Sequence, residues 1–179
     1  MASLRRLEFN GLEVIPFTED MINDRYIGWL CDPIVVRYSE QRHREHDKKS
    51  CREFYRSFEN SPSHFSAIVE NKIGLGHIGN ISTSVNEHNS VIDIAIMIGE
   101  KDSWGKGFGS LSWKMVMNEL LNLNFRKVTG GCMSKNYGMM KIMEKSGMDR
   151  DYTKPKSFLL DGEEVDSVHY AIYNKEYFS

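Results

Sequence analysis

Three glycines alternate with larger residues in the segment W-G-K-G-F-G, which spans residues 104–109. Glycine allows backbone N–H groups to turn towards one point and allows a ligand to approach the backbone closely. A helix that begins here would add the positive end of its dipole, and Lys106 would add a mobile positive charge. The segment therefore predicts a cradle for a phosphate or pyrophosphate group.

Two common phosphate ligands fit this segment poorly. A nucleoside triphosphate loop needs Gly-Lys followed by Ser or Thr, whereas Lys106 is followed by Gly107. A dinucleotide fold needs G-x-G-x-x-G after a first strand, with an acidic residue about 20 positions later. The glycines here run G-x-G-x-G and lie beyond the middle of the chain. The pyrophosphate of coenzyme A is the third option.

The elements on either side must hold this segment in place. Residues 91–98 form a nearly continuous β-branched run, interrupted by Asp93, which predicts a central strand buried on both faces. After the glycines, apolar residues recur at helical spacing from Trp113 to Leu120. A further strand is predicted over residues 126–133, and Asn136 is predicted to cap the next helix.

The rest of the chain completes one predicted sheet. A strand at 12–17 precedes two helices, which are separated by the polar loop 37–46, and Asp47 is predicted to cap the second helix. Three strands in a row follow, at 65–70, 73–82 and 91–98. Asp161-Gly162, between strand-like runs at 156–160 and 165–173, predicts a closing hairpin. The order β-α-α-β-β-β-α-β-α-β-β predicts a single α/β domain over residues 1–179, with a mixed sheet of about seven strands and helices on its faces.

Composition excludes several function classes. The net charge is -2, with 25 acidic against 23 basic residues, so nucleic acid is not an expected partner. No stretch approaches the ~18 apolar residues of a membrane span, and residues 1–10 predict no signal peptide. Cys31, Cys51 and Cys132 have neither metal-ligand spacing nor a disulfide pattern, so we expect a cytoplasmic protein without a metal.

The glycine segment resembles the central loop of the GNAT superfamily of N-acetyltransferases, which reads Gln/Arg-x-x-Gly-x-Gly/Ala. Gly107 and Gly109 fall on its two fixed glycines, and Trp104 replaces the usual Gln or Arg. The W-G-x-G-[FY]-[GA] form is similar to the subgroup of ribosomal-protein N-terminal acetyltransferases and amino-sugar acetyltransferases. Further segments that resemble the family are M-I-G-E at 97–100, Asn136 with E-K-S-G-M at 144–148, and D-G…D…Y-A-I at 161–172.

The resemblance implies acetyl-CoA as co-substrate and a mostly antiparallel sheet whose fourth and fifth strands splay to form a cofactor cleft. Backbone groups of the fourth strand would bind the pantetheine arm, and the glycine loop would bind the pyrophosphate. The residues that the resemblance assigns to the cofactor are Met97, Ile98, Trp104, Gly105, Lys106, Gly107, Phe108, Gly109, Ser110 and Asn136. Asn136 can serve as a helix cap at the same time.

The implied reaction is attack of a primary amine on a thioester, which requires a group that accepts the amine's proton. Asp93 is the first candidate, because it interrupts an apolar strand and burial would raise its pKa. The family builds its acceptor pocket where this chain has residues 38–46. The candidates there are Tyr38, Glu40, Arg42 and His43, with Glu40 also a candidate base. A solvated loop is the alternative interpretation of the segment.

The family's frequent general-acid tyrosine is replaced here by Met143, which cannot donate a proton. Tyr137 or Ser134, near the start of the same helix, is the candidate substitute. No cysteine is placed as an acyl carrier, so direct attack within a ternary complex is expected.

A small polar amine, such as an amino sugar or its nucleotide conjugate, is the first acceptor hypothesis. A protein N-terminus is the second, and a catalytically weak CoA-binding sensor is the third. A homodimer is plausible for the family.

Overall fold

Alternating and continuous apolar runs place eight strands in one open sheet in the computed structural model, which describes residues 4–179. The strands are β1 (Leu7–Phe9), β2 (Leu12–Pro16), β3 (Phe65–Glu70), β4 (Gly76–Asn86), β5 (Val91–Ile98), β6 (Lys127–Met133), β7 (Asp149–Leu160) and β8 (Glu163–Tyr173). The α-helices are α1 (Asp24–Cys31), α2 (Lys48–Arg56), α3 (Phe108–Asn122) and α4 (Tyr137–Lys145). Residues 1–3, which belong to the segment predicted not to be a signal peptide, lie outside the described residues.

The sheet has the order β1-β2-β3-β4-β5-β6-β8-β7, and β5–β6 is its parallel pair among antiparallel neighbours. The predicted mixed, mostly antiparallel α/β sheet is confirmed, with one more strand than expected. The additional strand, β1, pairs with β2 through a tight turn in which Asn10 and Gly11 have φ values of 52° and 83°. A two-residue turn of this kind requires positive φ at both positions, which Asn-Gly supplies.

Two strands begin three or more residues away from where the sequence predicts. β7 begins at Asp149 rather than Lys156, because its first half is a polar, exposed edge strand without apolar alternation. β4 begins at Gly76 rather than Ile73, because the buried Glu70 carboxylate accepts backbone N–H bonds from Lys72, Ile73 and Leu75 and folds residues 72–75 into a turn. Burial alone would raise the pKa of Glu70, but these N–H donors hold it below its usual value.

The helices pack on opposite faces of the sheet, as the sequence predicts. α3 and α4 cover the face that bears the main core, with Trp113 and Met143 fully buried. α1 and α2 cover the other face, where Tyr26 and Trp29 pack with Cys51. Between α1 and α2, the predicted loop 37–46 contains a short 3₁₀ helix, Glu40–His43. Within residues 4–179, none of the helices has the length and apolar character to cross a membrane.

Candidate active site

The glycine segment joins the end of β5 to the start of α3 through two residues in left-handed conformation. Gly105 has a φ of 75° and Gly107 a φ of 84°, a region in which a side chain strains the backbone. No heavy atom lies within 4 Å of the Cβ position of either residue, so this backbone borders open space. Gly107 is also the N-cap of α3, and it brings no side chain to occupy the helix N–H groups.

The first N–H groups of α3 are free for a ligand. In the described part of the chain, the N–H groups of residues 107–110 donate to no backbone or side-chain acceptor, and the first such bond is from Leu111 to the Gly107 carbonyl at 3.0 Å. The N–H groups at a helix start have no partner within the helix and carry its positive dipole end. With the exposed Lys106 beside them, they can hold a doubly charged anion such as a pyrophosphate.

Two residues fasten the segment to β5. The indole Nε1–H of Trp104 donates to the Ile98 carbonyl at 2.9 Å. A Cβ at Gly109 would lie 3.4 Å from side-chain carbons of both Ile98 and Ile142, so glycine allows α3 to pack closely on β5 and α4. Trp104 and Gly109 therefore position the free N–H groups at the start of α3.

A gap opens in the middle of the sheet, between β5 and β6. These strands pair only where residues 91–93 face residues 127–129, and beyond Asp93 and Thr129 they have no pairing with each other. Ala95 and Gly131 are exposed although they belong to central strands. We call this opening the strand gap. It runs from an apex at Asp93 and Thr129 to the glycine segment, and it is the splayed cleft that the sequence analysis predicts.

Asn136 lies just beyond the end of β6 and is the N-cap of α4. Its Oδ1 accepts a hydrogen bond from the Met139 N–H at 3.1 Å. Within residues 4–179 its Nδ2 donates to no acceptor. The side-chain oxygen of Asn136 thus caps α4, while its Nδ2 group remains free to donate at the gap.

A cleft of about 210 Å³ lies on the opposite side of β4 and β5, under α1 and α2. We call it the α1–α2 cleft. Ala95 and Met97 of β5 form part of its floor, so it meets the strand gap. Its polar lining consists of Ser39, Gln41, Arg44, Glu45, His46, Ser50, Asn80 and Ser82. Most of these side chains are uncharged, and the charged pair Arg44 and Glu45 is exposed.

The residues predicted to bind the acceptor lie outside this lining. Tyr38 packs against Met133 and the β7–β8 hairpin. Arg42 donates to the Leu159 carbonyl at 3.1 Å and pairs with Glu40, whose side chain is 60% exposed. His43 is exposed. The 3₁₀ geometry of this segment turns Ser39 and Gln41 to the cleft instead. Residues of this segment do line the cleft, but its polar composition contains no signal for which of them face inwards.

Asp93 stands at the apex of the strand gap. Its Oδ2 accepts a hydrogen bond from the Thr129 hydroxyl at 2.7 Å. Burial raises the pKa of Asp93, as the sequence analysis expects, although the Thr129 bond opposes this shift. A hollow lined by Phe54, Ser84 and Asp93 adjoins the α1–α2 cleft, so a ligand in the cleft can reach this carboxylate.

The candidate acid and the cysteine near the gap have contrasting environments. Tyr137 is the first residue of α4 and is 66% exposed. Met143, at the position of the family's tyrosine, is fully buried in the core beneath Trp113. Burial raises the pKa of the Cys132 thiol to about 11, so this thiol is protonated at neutral pH. A protonated thiol is a poor nucleophile, which argues against a covalent acyl-cysteine.

Comparison with protein families gives one clear result. Residues 12–149, well over half of the chain, match the acetyltransferase (GNAT) domain. No curated protein matches the chain.

Solved acetyltransferases share the whole fold at low sequence identity. The ribosomal L7/L12 alpha-N-protein acetyltransferase RimL in complex with coenzyme A has a TM-score of 0.83 at 12% identity, covering 94% of this chain and 98% of that chain. Spermidine N-acetyltransferase from Vibrio cholerae in complex with CoA and spermine has a TM-score of 0.81 at 15% identity. The match covers 96% of this chain and 100% of that chain. A GNAT-family acetyltransferase from Bacillus anthracis has a TM-score of 0.80 at 16% identity. The match covers 96% of this chain and 100% of that chain.

Proposed function

The chain belongs to the GNAT acetyltransferase domain family and is an acetyl-CoA-dependent N-acetyltransferase; from this premise we propose that it acetylates the primary amine of a small polar acceptor by direct attack in a ternary complex. The observation that carries the proposal is the strand gap, because it connects the glycine segment to the α1–α2 cleft. A donor held on one side and an amine on the other can therefore meet.

Coenzyme A fits the residues on the α3 side of the gap. The free N–H groups of residues 107–110 and the Lys106 ammonium would hold its pyrophosphate. The unpaired edge of β5, at residues 94–98, would bind the pantetheine arm as a neighbouring strand does, and Asn136 Nδ2 would donate to it. When bound, acetyl-CoA supplies an activated acetyl group on a thioester.

The protein must hold the amine and stabilise the charges that develop during attack. Asp93 lies at the apex, where its carboxylate attracts the ammonium form of an acceptor and stabilises positive charge on the attacking nitrogen. Backbone N–H groups along the free edge of β5 can donate to the oxygen that becomes negative. Tyr137 is the candidate proton donor for the leaving thiolate, and the high pKa of Cys132 supports direct transfer.

The shape and polarity of the α1–α2 cleft favour a small, uncharged or singly charged acceptor. Hydroxyl and amide groups such as Ser39, Gln41 and Ser82 suit the hydroxyls of a sugar. The segment over the cleft is tied to the β7–β8 hairpin by the Arg37–Asp161 ion pair at 2.9 Å and by the bond from Arg42 to the Leu159 carbonyl. These two contacts reduce the space for a polypeptide, so a protein N-terminus is the second candidate acceptor. The fold shared with RimL supports this second candidate.

A ligand panel followed by an amine panel tests the proposal. Thermal unfolding is compared with acetyl-CoA, CoA, ATP and NAD, since a ligand at ~100 times its Kd stabilises the native state by about 2.7 kcal/mol. Both CoA species should raise the Tm, and ATP and NAD should not. Release of CoA thiol is then measured with glucosamine, a UDP-linked amino sugar, a tripeptide with a free N-terminus and spermidine. Thiol release with the peptide alone would favour the second candidate, and binding without release on any amine would indicate a sensor.

A further inference from the structure

His169 on β8 extends its imidazole ring over the neighbouring strand. Across the β6–β8 pair it stands opposite Gly131. A Cβ at Gly131 would lie 2.7 Å from His169 Nδ1 and 2.8 Å from Cε1. The ring edge that carries Nδ1 therefore occupies the space that a side chain at position 131 would fill. Gly131 is exposed and belongs to the part of β6 that borders the strand gap, so Nδ1 lies at the border of the gap.

The imidazole lies on the side of the sheet from which an acceptor enters. Val128 packs in the main core with α3, and a Cβ on Gly130 would meet Trp113 of that helix. Side-chain directions alternate along a strand, so Thr129 and Gly131 face the α1–α2 side. Thr129 is also the hydrogen-bond partner of Asp93, which places the ring of His169 on the same face as the apex of the gap.

Two contacts fix the orientation of the ring. Tyr152 of β7 stacks on it, with ring centroids 4.2 Å apart and an interplanar angle of 6°. The Ser167 hydroxyl lies 2.7 Å from His169 Nε2. In the tautomer in which Nε2–H donates to Ser167, the lone pair of Nδ1 is free. Within residues 4–179 Nδ1 has no hydrogen-bond partner, so a ligand amine can use it.

The groups around the ring leave it neutral at working pH and able to bind a proton. Burial lowers the pKa of His169 below its usual value. Asp93 on β5 and Asp151 on β7 oppose that shift, while Lys154 on β7 adds to it. Asp151 is itself paired with Lys127 at 2.6 Å, so Asp93 is the carboxylate without a cationic side-chain partner among the described residues.

We propose that His169 is the catalytic base of this enzyme, and that it takes the amine's proton on Nδ1 while Asp93 stabilises the resulting imidazolium. The inference rests on the acetyl transfer proposed above. The amine nitrogen forms a bond to the acetyl carbonyl carbon, and the carbon–sulfur bond breaks with its electron pair passing to sulfur. The proton passes from nitrogen to Nδ1 and then to the thiolate or to solvent. Nδ1 of His169 has a free lone pair at the border of the gap, whereas Oδ2 of Asp93 already accepts a hydrogen bond from Thr129, so we assign the proton to His169 rather than to Asp93.

The test is the variant His169→Gln, assayed with the best amine of the panel. General base catalysis contributes about 10²–10⁴-fold, so kcat should fall by about 100-fold or more, while the Kd of acetyl-CoA stays within about two-fold of the parent value. In the parent enzyme at saturating substrates, kcat should fall as pH drops through the imidazole pKa, because a protonated Nδ1 accepts no proton. The variant should lose this acid limb.

His64→Gln is the matched control, because His64 is also partly buried, with a pKa lowered by burial, but lies beside β3 away from the gap. It should keep the parent kcat and pH profile.

If His169→Gln fails to fold, NMR titration of the parent tests the inference instead. It must give an Nε2–H tautomer for His169 and a pKa equal to the one at which kcat falls. The inference is overturned, and the proposed function is not, if the parent is active and the fall of kcat at low pH persists in His169→Gln. The same holds if the pKa from that fall differs from the pKa of His169 in the NMR titration. A parent that releases no thiol with any amine overturns the proposed function and the inference with it.

Discussion

The two sides of the strand gap are built in different ways. On the α3 side, the predicted anion site consists of backbone N–H groups from one short segment, residues 107–110, and needs few side chains. On the α1–α2 side, the cleft consists of side chains from α1, α2, the 37–46 segment, β4 and β5. A local backbone site depends on residues that are adjacent in sequence, whereas a side-chain site depends on how distant elements pack. The first therefore depends on the few glycines that shape its backbone, and the lining of the second can change without altering the first.

The largest effect is expected from Gly107→Val. A β-branched residue at a φ of 84° is strained by about 1–2 kcal/mol, and its side chain enters the open space beside the free N–H groups. Affinity for acetyl-CoA should fall by about 100-fold or more, measured by calorimetry, because the anion loses backbone donors that no other group replaces.

Gly147→Val is the matched control for this change. Gly147 also has positive φ, 92°, and open space around its Cβ position, but it lies at the far end of α4. It should lower the Tm by a similar amount and leave the affinity for acetyl-CoA intact. Equal losses of affinity in both variants would mean that strain, and not the glycine segment, controls binding.

The next largest effect is expected from Asp93→Asn, which separates catalysis from binding. Loss of the negative charge at the apex should lower kcat by about 10–100-fold with little change in the Kd of acetyl-CoA. The pKa of Asp93 is raised in the folded protein, so its ionised form opposes folding at neutral pH. The variant should therefore be more stable than the parent at pH 7, and each kcal/mol gained should raise the Tm by about 2–4 °C.

The pH dependence of the Tm difference between Asp93→Asn and the parent tests whether the buried charge of Asp93 destabilises the fold. The gain in Tm should shrink as pH falls through the raised pKa towards the unfolded value, because the parent carboxyl then becomes neutral too. A variant that is less stable than the parent across this range would show that the Thr129 bond outweighs the cost of burying the charge.

The same contrast explains which features the sequence predicts. The glycine segment, the strand at 91–98 and the caps at Asp47 and Asn136 all depend on neighbouring residues, and they are found where predicted. The predicted burial of that strand on both faces is wrong, because the strand gap leaves only Ile92 and Ile94 buried and Ala95 exposed. The hairpin turn at Asp161-Gly162 has the positive φ values of 54° and 82° that its sequence requires. Asn10-Gly11 carries the same signal, and with it β1 could have been predicted.

Long-range packing decides the remainder. Glu70 ends β3 by binding N–H groups of the next turn, and nothing in an acidic residue at the end of a strand distinguishes this role from a solvated one. The inward residues of 37–46 are selected by contacts with Leu159 and Asp161, more than a hundred positions away. His169 appears in the sequence as one polar residue in an alternating strand, and only the β6–β8 register places it over Gly131.

A smaller effect tests which residues of the 37–46 segment face the acceptor. Gln41 lines the α1–α2 cleft, while Glu40 beside it is 60% exposed and pairs with Arg42. Gln41→Ala should raise the KM for the amine by about 2–10-fold, the range for loss of one hydrogen bond. Glu40→Gln should leave the KM within about two-fold of the parent. The reverse result, with the KM for the amine raised in Glu40→Gln and unchanged in Gln41→Ala, would support the acceptor-binding residues that were predicted from the sequence.

The smallest effect is expected at Cys132, which lies on β6 beside the gap. Its pKa of about 11 leaves roughly one thiol in a thousand ionised at pH 8, so it should react with iodoacetamide far more slowly than the exposed Cys31. Cys132→Ala should keep kcat within about two-fold, because direct transfer needs no covalent carrier on the protein. Loss of activity in this variant, together with an acetylated Cys132 in mass spectra of the parent, would contradict direct transfer. The α3 side of the gap would then contribute a reacting side chain, and the contrast between a backbone-built side and a side-chain-built side would no longer hold.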